Sequence, residues 1–152
     1  MPEDAAVPGF EIGKDGVGSI VVGVDGSPPA VHAAAWAAGL ARRERARLVL
    51  VYVEPLASAA YWTSIGMINA AEAANDFVAE LRTEAGQYLT QYGIEWDLLH
   101  HRGDPATALE QIAEELRADC IVVGRSQRGG HLLGSVPKTL VTRAQRPVVV
   151  VP

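Results

Sequence analysis

The sequence predicts a single α/β domain built on a parallel sheet. Short apolar runs rich in β-branched residues recur along the chain, and amphipathic helical patterns fill the intervals between them. Short loops cannot join parallel neighbours directly, so each helix is read as a right-handed crossover.

The first run, Ser19 to Val24, lacks alternation and is expected to be buried on both faces. Val31, Ala34, Ala35 and Ala38 then share one stripe of a first helix, and Arg47 to Val53 form a second buried strand. The interval from Glu54 to Met67, which contains Tyr61 and Trp62, is less regular and fits a lid, a partner contact or ordinary surface packing. A longer stripe of Ala71, Ala74, Phe77, Val78, Leu81, Ala85, Tyr88 and Leu89 predicts a second helix, with Gly93 placed to end it.

Ile94 to His101 differs from the other strands, because Ile94, Trp96 and Leu98 alternate with Glu95, Asp97 and Leu99; one wet face marks an edge strand. Asp104 is placed to cap a third helix with Pro105 in its first turn, and Ala106, Leu109, Ile112, Ala113 and Leu116 form its buried face. Cys120 to Gly124 is the fourth strand, Ser135 is the expected cap of the fourth helix, and Pro147 to Val151 is the last strand. Trp36 and Trp96 are expected to be core or partly buried packing residues.

The chain has 152 residues, 49% apolar and 20% charged, which suits one compact domain. A net charge of −5 gives no field to recruit duplex nucleic acid or anionic lipid, so neither is expected as a partner. Cys120 is the single cysteine and reads as a small buried hydrophobe. The opening residues show neither a signal peptide nor a membrane span, so the protein is expected in the cytoplasm, with residues 1–17 as a flexible tail and 18–152 as the domain.

Ligands of open α/β sheets collect beyond the carboxyl ends of the strands, where strand order reverses. After the first strand stands Gly23-Val-Asp25-Gly26-Ser27, which reads either as a binding turn or as a turn and helix cap only. After the fourth strand, Gly124 opens a loop holding Arg125, Ser126, Arg128, Gly129, Gly130 and His131, before Gly134-Ser135 starts the last helix. Unpaired amides at a helix start, the helix dipole and nearby guanidinium groups favour an anion such as phosphate. His100 and His101 are neighbours on a strand and point to opposite faces, so they do not make a shared metal site, and no catalytic nucleophile is evident.

The segments "IVVGVDGS", "LVLVYVEP", "RGDPATALEQIAEELRADCIVVG" and "GSVPKTLVTRAQRPVVVVP", in that order, resemble the universal stress protein family over residues 18 to 152. The resemblance implies an open five-stranded parallel sheet of order 3-2-1-4-5 flanked by four helices, a Rossmann-like arrangement of the adenine nucleotide alpha hydrolase type. It points to Asp25, Val53 and Val123 for the adenosine portion, and to Gly124, Gly134, Ser135 and Val136 for phosphate. ATP-binding members carry Gly-x2-Gly-x9-Gly-Ser/Thr after the fourth strand; here Gln127 replaces the second glycine and the interval from Gly124 to Gly134 is three residues shorter.

The resemblance therefore implies a small stress-response or regulatory protein that takes ATP, AMP or cyclic AMP weakly. Two alternatives stand beside it: a dimeric interaction protein that binds no nucleotide and works through an unidentified regulatory protein partner, and a slow ATP hydrolase. In the implied topology the last strand is an edge although Val148 to Val151 are apolar throughout, which predicts a homodimer through that strand.

Overall fold

The computed structural model describes residues 16–54, 64–125 and 134–152. Most of the expected tail, the Tyr61–Trp62 pair, and the loop positions Ser126, Gln127, Arg128, Gly129, Gly130 and His131 lie outside the described residues. The element order is β1 (Ser19–Val24), α1 (Pro28–Glu44), β2 (Arg47–Glu54), α2 (Ser64–Gln91), β3 (Trp96–Arg102), α3 (Pro105–Glu115), β4 (Cys120–Gly124), α4 (Ser135–Thr142) and β5 (Val148–Val151). The five strands form one sheet in the order β3-β2-β1-β4-β5, with every pairing parallel. Strand order reverses between β1 and β4, so their carboxyl ends open onto one crevice.

Two apolar layers cover the central strands. Ile20, Val22 and Val24 of β1 point toward α1 and α2, with Leu48 and Leu50 of β2 beside them. Val21, Val49, Val51, Ile121 and Val123 point the other way, onto Leu109 and Ile112 of α3 and Leu140 of α4. This is why the strands lack alternation: both faces of each central strand are in contact with helices. β3 and β5 are the edges, and all four residues of β5 remain half-exposed.

Several local expectations are corrected. The buried face of α1 is Ala30, Ala33, Ala37, Ala38 and Ala41, whereas Val31 and Ala35 are exposed. Alanine occurs around the whole helix, so the pattern has little apolar contrast with which to choose a face. Trp36 is exposed at 40%, while Trp96 is partly buried and packs onto the core. In α2, Ala74 and Leu89 are buried but Tyr88 is exposed, and the helix begins at Ser64, inside the interval read as irregular. Glu54 likewise belongs to β2, β3 begins two residues later than expected, at Trp96, and β5 begins at Val148.

The caps divide in the same way. Ser27 caps α1 through its hydroxyl, which accepts from the Ala30 amide at 3.3 Å, and Asp104 caps α3 by accepting from the Thr107 amide at 2.9 Å. Gly93, at φ +67°, ends α2, with the Ile94 amide donating to the Leu89 carbonyl at 2.9 Å. The cap of α4, however, is Gly134 and not Ser135; among the described residues no side chain caps this helix, and Ser135 is its first residue.

Candidate functional site

Asp25 follows directly on β1, and one of its carboxylate oxygens accepts from the Ser27 amide at 2.9 Å. That bond and the positive φ of Gly26, +80°, make the tight turn that sends the chain into α1. A β-carbon at Gly26 would stand 3.1 Å from the Phe77 ring, so α2 approaches this turn closely. Asp25 itself is exposed, while Ser27 is buried and committed to its cap.

Val53 and Val123 are buried in one apolar cluster, and Val136 of α4 packs partly against it. The structure thus brings three of the expected site residues to one apolar cluster. Gly124, at the end of β4, has a different constraint from the one anticipated. A β-carbon there would lie 2.5 Å from the Pro29 carbonyl carbon and 2.7 Å from the Ala30 nitrogen, both backbone atoms. The first turn of α1 rests on the end of β4, and only glycine leaves room for it.

Beyond Gly124, the Arg125 amide donates to the Val151 carbonyl at 2.7 Å, and the Arg125 carbonyl accepts from the Gly134 amide at 3.1 Å. The two ends of the phosphate-loop segment are therefore tied together. The bond also engages the Gly134 amide, one of the donors expected to meet phosphate. Pro137, the third residue of α4, has no amide hydrogen. Ser135 and Val136 are left as the backbone donors at this helix start.

A second polar group at the strand ends was not anticipated. Glu54 closes β2 with its side chain only 5% exposed; one oxygen takes His100 Nε2 at 3.2 Å and Arg102 Nε at 3.1 Å. Its other oxygen is buried with no hydrogen-bond partner among the described residues. Tyr52 lies alongside, its ring 4.7 Å from Phe77 and 5.4 Å from His100. Burial above all, then the negative charges of Glu54 and Asp25, holds the Tyr52 hydroxyl above its ordinary value, which keeps it a neutral phenol. The signal for this cluster was the register: Tyr52 pairs with His100 and Glu54 with Arg102, so placing β2 beside β3 brings acid and bases together.

Other candidates separate out. His101 is exposed, and among the described residues no three histidine, cysteine or acidic side chains come together as a metal site. Cys120 is buried, and that burial, aided by Asp119, raises its thiol above the usual range, away from the reactive thiolate. Asp104 is held below the usual carboxylate range, first by the Thr107 hydroxyl and then by the Thr107 amide, so the start of α3 already has its anion.

The family model described as the universal stress protein family matches residues 16–152. The chain belongs to the universal stress protein family. A universal stress protein of Methanocaldococcus jannaschii is 31% identical over 143 residues, covering 87% of this chain and 80% of the relative. The universal stress protein UspA of Lactobacillus plantarum has a similar structure, with a TM-score of 0.78 at 23% identity, covering 91% of this chain and 99% of that one. A universal stress protein solved in complex with cAMP is similar at a TM-score of 0.69 and 27% identity, covering 91% of this chain and 99% of that one. The family and its α/β fold of order 3-2-1-4-5 agree with the expectation from sequence.

Proposed function

We propose that this universal stress protein is a regulatory binding protein that takes an adenine nucleotide with a single phosphate, in the crevice between the ends of β1 and β4. One observation carries the phosphate preference: with the Gly134 amide engaged and Pro137 lacking a donor, the start of α4 offers, among the described residues, the amides of Ser135 and Val136. Two donors suit one phosphate better than three. The cAMP complex of a similar protein supports the choice of an adenine nucleotide.

In this reading the Asp25 carboxylate accepts from the nucleoside, Val53, Val123 and Val136 supply apolar contact, and Ser135 and Val136 hold the phosphate. Binding, rather than turnover, is the mechanism in this reading. In this reading the domain of residues 18–152 is the acting unit, and it works in the cytoplasm.

The working form is a homodimer paired through β5. That strand is an open edge with four half-exposed valines, and pairing it with a second copy covers both its hydrogen-bonding groups and its side chains. Calorimetry with adenosine, AMP, cyclic AMP, ADP and ATP tests the ligand assignment. AMP or cyclic AMP is expected to bind at least as tightly as ATP. Submicromolar ATP binding with weaker AMP binding overturns the phosphate argument, phosphate release from ATP revives the slow hydrolase, and no binding by any of the five leaves the dimeric interaction protein.

A further inference from the structure

The two edges of the sheet are finished differently. Residues along a strand turn their main-chain groups alternately to one neighbour and to the other. The Leu48 amide donates to the Glu95 carbonyl at 2.9 Å and the Gly103 amide to the Glu54 carbonyl at 3.0 Å, so the odd-numbered residues of β3 face β2. Trp96, Leu98 and His100 therefore turn their amides and carbonyls outward. On β5 the Val151 carbonyl accepts from the Arg125 amide at 2.7 Å, so Val149 and Val151 face β4 while Val148 and Val150 are turned outward.

Between Trp96 and His100, both outward groups of β3 are already taken. The Leu98 amide donates to Asp97 Oδ1 at 2.8 Å, and Arg82 Nη2 donates to the Leu98 carbonyl at 3.2 Å. Arg82 reaches the edge from α2, while Asp97, whose neighbour Leu98 packs under that helix, starts from the other face of the sheet. Arg47 Nη2 stands 3.5 Å from Asp97 Oδ2 and holds the carboxylate in place. Among the described residues no side chain meets Val148 or Val150 in this way; His32 Nδ1 lies 3.1 Å from the Pro152 carbonyl, past the end of β5.

An edge strand is a template for another strand, and charged side chains at the edge blunt it. A strand laid on β3 would have to displace a charged partner from each group of Leu98, and without Leu98 the rungs at Trp96 and His100 are separated. We propose that Asp97 and Arg82 close the β3 edge to strand addition, so that the sheet can be extended from β5 alone, by a second copy of this chain. A pair joined through β5 then presents two closed edges, and assembly through the sheet stops at two chains. The closure of β3 does not depend on the β5 pairing; the limit of two chains rests on that reading.

The test compares the unaltered chain with the double variant Arg82→Ala, Asp97→Ala, which leaves the net charge at −5. Arg82 is exposed and the Asp97 side chain is 43% exposed, so both changes fall at the surface. Light scattering from micromolar to millimolar concentration should give one mass for the unaltered chain and a mass that climbs past it for the variant. In the grown species, amide hydrogen exchange at Trp96 and His100 should slow by about tenfold or more as these rungs become paired. Asp97→Ala alone should speed exchange at Leu98 by about tenfold, the loss of a bond to a charged acceptor. A monomeric unaltered chain overturns the β5 pairing and not the closure, and the double variant should then form pairs through β3. A folded double variant that keeps the mass of the unaltered chain at every concentration, or that grows while Trp96 and His100 still exchange fast, overturns the closure. If the double variant fails to fold, Arg82→Ala and Asp97→Ala taken singly, each uncovering one group of Leu98, are judged by the same two measurements.

Discussion

The carboxyl ends of β2 and β3 and those of β1 and β4 occupy equivalent places in the sheet, yet their charges are handled in opposite ways. At the first, Glu54 is buried and shared between His100 and Arg102, with the Tyr52 ring beside them. At the second, Asp25 is exposed and the start of α4 has no side-chain cap. The first rim pairs its carboxylate, through one oxygen, with its own His100 and Arg102, and the second leaves its carboxylate exposed. Strand ends as such do not make a binding site; an unspent charge beside unspent donors does.

The sharpest test of this contrast is Gly124→Ala. A phosphate-cradle glycine would lose ligand and keep its stability when given a methyl group. Here the new carbon would stand 2.5 Å from the Pro29 backbone, so α1 has to shift or lift. We expect destabilisation of about 3 kcal/mol or more, at the upper end of overpacking costs, seen as a lowered midpoint in urea. Unchanged stability with lost AMP binding would return Gly124 to the ligand site.

Next in size is Glu54→Ala, which leaves His100 and Arg102 without their carboxylate. Breaking a buried pair costs about 3–5 kcal/mol. The half-exposed Arg102 can turn to water, so about 2–3 kcal/mol is expected. AMP affinity of the folded fraction should not change. A large loss of affinity at unchanged stability would join the two rims into one site.

The contrast also separates what was legible in the sequence from what was not. Valine runs identify β1, β2 and β4, because burial on both faces is a composition signal. Asp104 before Pro105 and Ser27 before Pro28 identify helix starts, because capping is settled within four residues. Glu54 was hidden because its partners are 46 and 48 residues away, and only strand pairing brings them together. The role of Gly124 was hidden for the same reason, since the backbone it makes room for belongs to α1. The Gly134–Arg125 bond, which engages one of the amides expected to meet phosphate, depends on how the end of β4 meets the start of α4, which spacing alone does not show.

Within the open rim, the proposed nucleoside and phosphate ends are separable. Asp25→Ala removes a carboxylate acceptor and should cost adenosine and AMP alike about 1.5–3 kcal/mol, or roughly tenfold to a hundredfold in affinity. Ser135→Pro removes one of the two remaining amides. Proline is well tolerated at the first helical position, and Gly134 already has the extended backbone, φ −63° and ψ 168°, that a residue before proline adopts. AMP should weaken by about tenfold while adenosine is unaffected. Equal loss for both ligands, or none for AMP, would show that α4 does not meet the phosphate.

The smallest effect expected is that of Ser135→Ala, and its partner for comparison is Ser27→Ala. The two serines stand at the starts of α4 and α1 and look alike in sequence, each following a glycine. Ser27 is the cap: its hydroxyl accepts from Ala30 and is enclosed, so its loss should cost about 1 kcal/mol. Ser135 is one residue inside its helix, exposed, and its hydroxyl caps nothing. Ser135→Ala keeps the backbone amide, and alanine is the better helix former, so stability should move by no more than about 0.5 kcal/mol. AMP affinity should stay as it was, because in the proposed site the amide and not the hydroxyl meets the phosphate. Denaturation midpoints of the two variants, measured side by side, check the caps. A cost at Ser135 equal to that at Ser27 would place the cap of α4 on the serine after all.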